Sequence, residues 1–252
     1  MILSMSLSPK VQTTLTIGLG LLVVVVFSVR SRSLTENLSS DPSDVVSSSW
    51  REEQLRKSAL SQPYLSAIAQ AQTSLEAEDY ETAVQDFSRA ISLYENTARG
   101  YHGRAIARLQ LGDYDGAIAD FSQALDFEPE DVRTYTNRGN TYAAIGDLEA
   151  AFEDYNRAIT LNPDYPDAYF NRAGLYFQVG DYDAALEDLN QTLLLQPESA
   201  RAFYNRAMVH LELDQLERAI ADLETAEALF RKQDDFASSE YTLDTLKRLN
   251  GR

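Results

Sequence analysis

The side chains that carry most enzyme chemistry are scarce here. The chain has two histidines, His102 and His210, and no cysteine in 252 residues. Thiolate catalysis, disulfides and cysteine-ligated zinc are thereby excluded. His210 takes the place of Tyr142 and Tyr176 in the repeat and reads as a packed residue, and His102 has no serine or carboxylate at a spacing that would make a nucleophilic triad. No glycine-rich phosphate loop is present, and the glycines sit where turns and close packing need them. Carboxylates are abundant, 39 Asp and Glu against 22 Lys and Arg, but they read as solvated helix faces rather than paired catalytic acids. What recurs is a pair of opposite charges. Arg104, Arg138, Arg172 and Arg206 stand 34 residues apart, and so do Asp86, Asp120, Asp154, Asp188 and Asp222. So strict a period implies a structural Arg–Asp ladder, because a planar guanidinium grips a carboxylate with two hydrogen bonds while its stem packs. The expectation is a protein without catalytic residues, cofactor or metal.

The elements that must position this ladder follow from the same period. Gly112-Asp113-Tyr114 precedes Ala117, Asp120, Phe121, Ala124, Pro129, Tyr135, Asn137-Arg138 and Tyr142. Gly146-Asp147-Leu148 and Gly180-Asp181-Tyr182 open the next two copies, and Glu78-Asp79-Tyr80 and Asp214-Gln215-Leu216 open weaker flanking ones. Within a copy the apolar residues fall at helical intervals. The glycine suits a left-handed residue closing one helix, the aspartate caps the next, and the proline stops it. Ala117, Ala151, Ala185 and Ala219 let two backbones approach where a larger side chain would overpack. Each unit is thus a helix–turn–helix hairpin that cannot bury its apolar face alone, and stacking buries it. Helices are expected at about 64–76, 80–94, 98–111, 114–127, 132–145, 148–161, 166–179, 182–195, 200–213, 216–232 and 235–250.

Period, turn glycine, paired alanines, aromatic and proline together resemble the tetratricopeptide repeat. The resemblance is specific over about 98–199 and weaker in the flanking units. It implies an all-α, right-handed superhelical solenoid over 63–233, with repeats at about 64–97, 98–131, 132–165, 166–199 and 200–233. A capping helix and C-terminus follow at 234–252. It also implies that the first helix of each hairpin lines a concave groove that binds a peptide or a partner helix. Carried over residue by residue, that groove holds Arg99, His102, Arg133, Asn140, Phe170, Phe177, Arg201, Tyr204 and Met208, with Asn137, Asn171 and Asn205 at its edge. Some members clamp a C-terminal carboxylate. Asn140, Asn171 and Arg201 fall on clamp-like positions, but Thr136 and Asn205 depart from that pattern.

Ahead of the repeats the composition changes. Residues 1–62 carry six Lys and Arg and five Asp and Glu, whereas 63–252 carry sixteen and thirty-four. The repeat region should therefore repel nucleic acid phosphates. Residues 1–10 form a short tail. Val11 to Val29 holds no charged residue, and a helix of that length spans about 28 Å, close to the hydrocarbon thickness of a bilayer. The stretch exceeds the usual core of a signal peptide, and no small-x-small site follows it. It reads as an N-terminal hydrophobic helix anchoring the chain in a membrane, with a Ser-rich tether at 30–62. The balance of Lys10 against Arg30 and Arg32 leaves the side of the membrane open. The functional expectation is a protein–protein interaction adaptor that helps assemble or localise a membrane-associated complex. The alternatives are a permanent structural subunit of an assembly, or an exported accessory protein with a cleaved signal peptide.

Overall fold

The computed structural model describes residues 61–250, all within the second of the chain's two compact units, Glu53–Arg252. The expected membrane span at 11–29 and most of the tether lie outside the described residues. Among those described, no helix is long and apolar enough to cross a membrane.

The described residues form eleven helices and no strand. Among the described residues, helix α1 takes in 61–76. It is followed by α2 (Tyr80–Leu93), α3 (Ala98–Gln110), α4 (Tyr114–Phe127), α5 (Val132–Ile145), α6 (Leu148–Leu161), α7 (Pro166–Val179), α8 (Tyr182–Leu195), α9 (Ala200–Glu212), α10 (Leu216–Lys232) and α11 (Phe236–Asn250). Consecutive helices pack in pairs, and each pair packs on the next. The bounds meet the sequence expectation closely except at the start. Pro63 lies inside α1 rather than ahead of it.

The hairpin turn is one structure repeated five times. Gly112, Gly146 and Gly180 have φ of +77°, +85° and +82°, and Glu78 and Asp214 adopt the same left-handed region at +60° and +55°. After Gly112, the Asp113 N–H donates to the carbonyl of Arg108 and the Gly112 N–H to that of Leu109, the paired bonds that close a helix through a left-handed residue. Equivalent pairs close α1, α5, α7 and α9. A left-handed residue other than glycine costs about 1–2 kcal/mol, so the flanking units hold this turn without the residue that makes it cheap. The aspartates cap as expected: Asp79, Asp113, Asp147 and Asp181 accept from the backbone N–H groups of Thr82, Gly116, Ala150 and Ala184.

Inside each hairpin a large residue of the second helix meets a small one of the first. Phe121 packs with Ala105, Leu189 with Ala173 and Leu223 with Ala207. The bulkier Tyr155 meets Gly139, where an added Cβ would lie 2.8 Å from the ring. The volumes are complementary at each step, as close packing requires. Gly103 stands one period before Asn137, and a Cβ there would fall 2.3 Å from the Phe87 ring. The row of edge asparagines therefore begins one hairpin later.

Candidate functional site

The charged residues of the ladder are spent on the stack itself. Arg104 donates from Nε and Nη2 to Asp120 at 2.8 and 2.7 Å. Arg138 grips Asp154 in the same way, Arg172 grips Asp188 and Arg206 grips Asp222, all at 2.7–2.8 Å. The remaining nitrogen, Nη1, reaches back to the preceding hairpin, to Ser88 and Ser122 Oγ and to Asn156 and Asn190 Oδ1. Each guanidinium also lies over an aromatic ring one turn earlier: Tyr101, Tyr135, Tyr169 or Phe203, at 5.3–5.8 Å. The hydrogen bonds to Asp120, Asp154 and Asp188 push Arg104, Arg138 and Arg172 above the ordinary arginine value. Burial pushes the Asp188 carboxyl upward, and Arg172 only partly opposes it. The aspartate is thus desolvated at a cost, and the guanidinium is what makes its charge tolerable. The first aspartate, Asp86, has Gln70 where the later units have arginine and accepts from Ser74 instead.

Nine of the twelve residues expected to bind a ligand line clefts along the first helices. A cleft of about 550 Å³ is lined by Arg99, His102 and Arg133, together with Gln72, Glu128 and Asp131. Here Arg99 donates to Gln72 Oε1 at 2.8 Å, and the exposed Arg133 has its Nε 3.7 Å from Asp131. Thr134 donates its hydroxyl to Asp131 at 2.6 Å, so it accepts from His102 Nδ1–H at 2.6 Å. That fixes the neutral tautomer of His102 and leaves Nε2 as an acceptor. The imidazole stands edge-on to Phe121, and burial lowers its pKa.

Phe170, Arg201, Tyr204 and Asn205 line a second cleft of about 460 Å³. Phe177, Asn205 and Met208 line a third of about 330 Å³. Asn137, Asn140 and Asn171 line none of the three clefts. Asn140 accepts from the Tyr155 hydroxyl at 2.6 Å, and Thr136 is buried with its hydroxyl on the Val132 carbonyl. The clamp-like residues Asn140, Asn171 and Arg201 therefore do not share any one of these clefts.

Two features escaped the sequence reading. The acceptors Ser88, Ser122, Asn156 and Asn190 had a signal, a small polar residue at the same 34-residue period. The wall that Ser238, Tyr241 and Thr242 of α11 contribute to the second cleft had none, because α11 falls outside the repeat. Among the described residues no group of three or more His, Asp or Glu could hold a metal ion.

His210 gives the stack a pH dependence. It is buried, with Nδ1 2.9 Å from Gln215 Oε1 and Nε2 3.7 Å from Asp222, and burial lowers its pKa despite the pull of Asp222. The unfolded chain then binds the proton more readily than the folded one, so stability rises with pH through this range. Stability should be highest above about pH 6.5 and fall as the pH drops below that ordinary histidine value. Urea unfolding at pH 7.5 and 5.5 should show a lower free energy at 5.5, with the gap narrowed in His210→Gln. An equal free energy at both values would rule the dependence out.

Among the described residues, eleven helices in repeated hairpins, knit by a charge ladder and leaving clefts along the first helices, define a helical repeat scaffold. One family model, described as TPR repeat, matches residues 107–146 and 139–180, and a second, described as tetratricopeptide repeat, matches 174–235. Together they take in just over half of the chain, which belongs to the tetratricopeptide repeat family. No curated protein matches it in sequence. Among solved structures, MamA from Desulfovibrio magneticus RS-1 is 18% identical, covering 69% of this chain and 98% of its own, with a TM-score of 0.61. TTC0263, a thermophilic TPR protein of Thermus thermophilus, is 21% identical over 71% of this chain and 98% of its own, with a TM-score of 0.60. YrrB, described as a TPR protein with an unusual peptide-binding site, is 23% identical over 65% of this chain and 84% of its own, with a TM-score of 0.53. At such identities the likeness is one of fold.

Proposed function

We propose that the chain is a non-enzymatic adaptor that binds an acidic and apolar peptide or helix of a partner protein along its first helices. The observation that carries this reading is the state of the arginines. Those of the ladder are fully engaged with aspartates. On the cleft face, by contrast, Arg99 bonds a neutral glutamine, Arg201 lies 5.3 Å over the Phe170 ring, and Arg133 has only a loose contact with Asp131. Positive charge is thus left beside Phe170 and Tyr204, with Phe177 and Met208 lining the neighbouring cleft, on a chain of net charge −17. Such a surface favours acidic residues flanking apolar anchors. The peptide-binding site named for YrrB supports a peptide as the kind of ligand. A peptide array probed with the full chain at near-physiological salt should return acidic–apolar sequences, and Arg133→Glu/Arg201→Glu should lose them. Equal binding by both proteins, or a preference for basic peptides, would sink the reading.

The partner is met at a membrane, with residues 11–29 as a single-pass anchor and the repeats helping to assemble or localise a membrane-associated complex. The uncharged run of nineteen residues supports the anchor. The full chain should stay with membranes through a carbonate wash and a chain lacking residues 1–29 should not. A full-length chain released by the wash would refute the anchor.

A further inference from the structure

Helix α11 closes the apolar end of the stack with Ser239, Thr242 and Leu246 buried. Closure does not account for its other side. Tyr241 is 62% exposed, with its ring 6.1 Å from that of Tyr204. With Phe170 and Phe230 these tyrosines make an aromatic wall around Arg201, the one charged residue lining the second cleft. Arg201 lies over the Phe170 ring and forms no ion pair with any described carboxylate. Asn205 lines both this cleft and the third, so the two adjoin along α9. The third cleft is apolar through Phe177 and Met208 and carries Glu212. Arg201 and Glu212 are eleven residues apart on one helix, about 16 Å. The joined cleft therefore has a positive end against α11, an apolar middle and a negative end.

We propose that α11 is half of a ligand subsite, and that the joined cleft takes an internal segment of a partner protein in one direction. A carboxylate side chain of the segment meets Arg201 and Asn205, an apolar side chain beside it rests against Tyr241 and Tyr204, and a second apolar side chain enters between Phe177 and Met208. The end at Glu212 carries no acidic residue. The span matches about five extended residues or about eleven helical ones. Charge complementarity selects the occupant: the surroundings are strongly acidic, and an unpaired arginine in an aromatic cleft is matched by a carboxylate next to an apolar group. The inference rests on the peptide-binding reading and adds the place, the direction and the wall.

The test is fluorescence anisotropy of the full chain, solubilised in mild detergent, with a fluorescein-labelled decapeptide. Its carboxyl end is amidated, and two glutamates precede a phenylalanine and a leucine. A lysine-for-glutamate peptide, a peptide with a free carboxyl end and one with glutamates at both ends complete the set. The amidated acidic peptide should bind, and the lysine peptide should not. Arg201→Gln and Tyr241→Ser should each weaken binding about tenfold, while Tyr94→Ser, exposed elsewhere, should not. Glutamates at both ends should weaken binding to the native chain, and Glu212→Gln should restore it. Because Tyr241 is exposed, an unchanged melting point in Tyr241→Ser keeps the result apart from unfolding. Binding unaffected by Arg201→Gln and Tyr241→Ser would overturn the subsite and leave the adaptor reading standing. No binding of any acidic–apolar peptide would overturn both. Binding only of the peptide with a free carboxyl end would overturn recognition of an internal segment, and self-association that excludes the peptide would overturn a foreign partner.

Discussion

Arg138→Ala should lower the stability of the repeat region by roughly 3–5 kcal/mol, the usual cost of leaving a buried charge without its partner. The side chains of Arg138 and Asp154 are 19% and 6% exposed, so the carboxylate stranded by the substitution has little water to turn to. The same change removes the bond to Ser122 in the preceding hairpin and the contacts with the Tyr135 and Tyr142 rings. Arg138→Met/Asp154→Leu separates the causes. If the stranded charge dominates, the double variant should recover most of the loss, because a well-packed apolar pair can match a buried ion pair. Urea unfolding monitored by circular dichroism measures both. An unchanged midpoint in Arg138→Ala would mean that the guanidinium is merely solvated.

Phe121→Ala should cost about 3–5 kcal/mol through the cavity it opens. Phe121 is fully buried between Ala105 and Ala117. Those residues are already the smallest that keep a side chain, so the site has little left with which to collapse. The consequence reaches the first cleft, since the His102 imidazole rests edge-on against this ring. Burial is the main cause of the lowered His102 pKa. Opening the wall should move that pKa back up toward the ordinary histidine value, which an NMR titration of the imidazole resolves. A loss of less than about 1 kcal/mol, or a His102 titration that does not move, would show that the ring is replaceable.

The hairpins were legible in the sequence because their turn makes demands that few residues meet cheaply. Gly112, Gly146 and Gly180 mark left-handed positions, and the aspartate that follows each marks a cap. Glu78 and Asp214 carry no such mark, and only extending the period to them reveals the same backbone. The ladder was legible for a like reason, since both partners recur on one period. The cleft face was less so. Asn140 looked available in the sequence but is taken by the Tyr155 hydroxyl, a bond that depends on which large residue fills the neighbouring core position. The second cleft depends on how a non-repeating helix docks on the last hairpin, and no periodicity encodes that.

The reach of each guanidinium has a consequence for how such a chain changes length. Arg172 finds its aspartate sixteen residues ahead and its second acceptor sixteen residues behind. Both distances fit within one 34-residue period, so excision of residues 132–165 sets Ser122 where Asn156 now stands and leaves Arg172 with Asp188 and a serine, the same kinds of partner that Arg138 has. Duplication of the same block repeats every bond once more. An insertion or excision between these partners that is not a whole number of periods changes the sixteen-residue spacings on which the bonds depend. The charge ladder thus makes the whole hairpin the smallest step by which the array can grow or shrink without breaking its own bonds, and it holds the chain to whole-repeat inheritance.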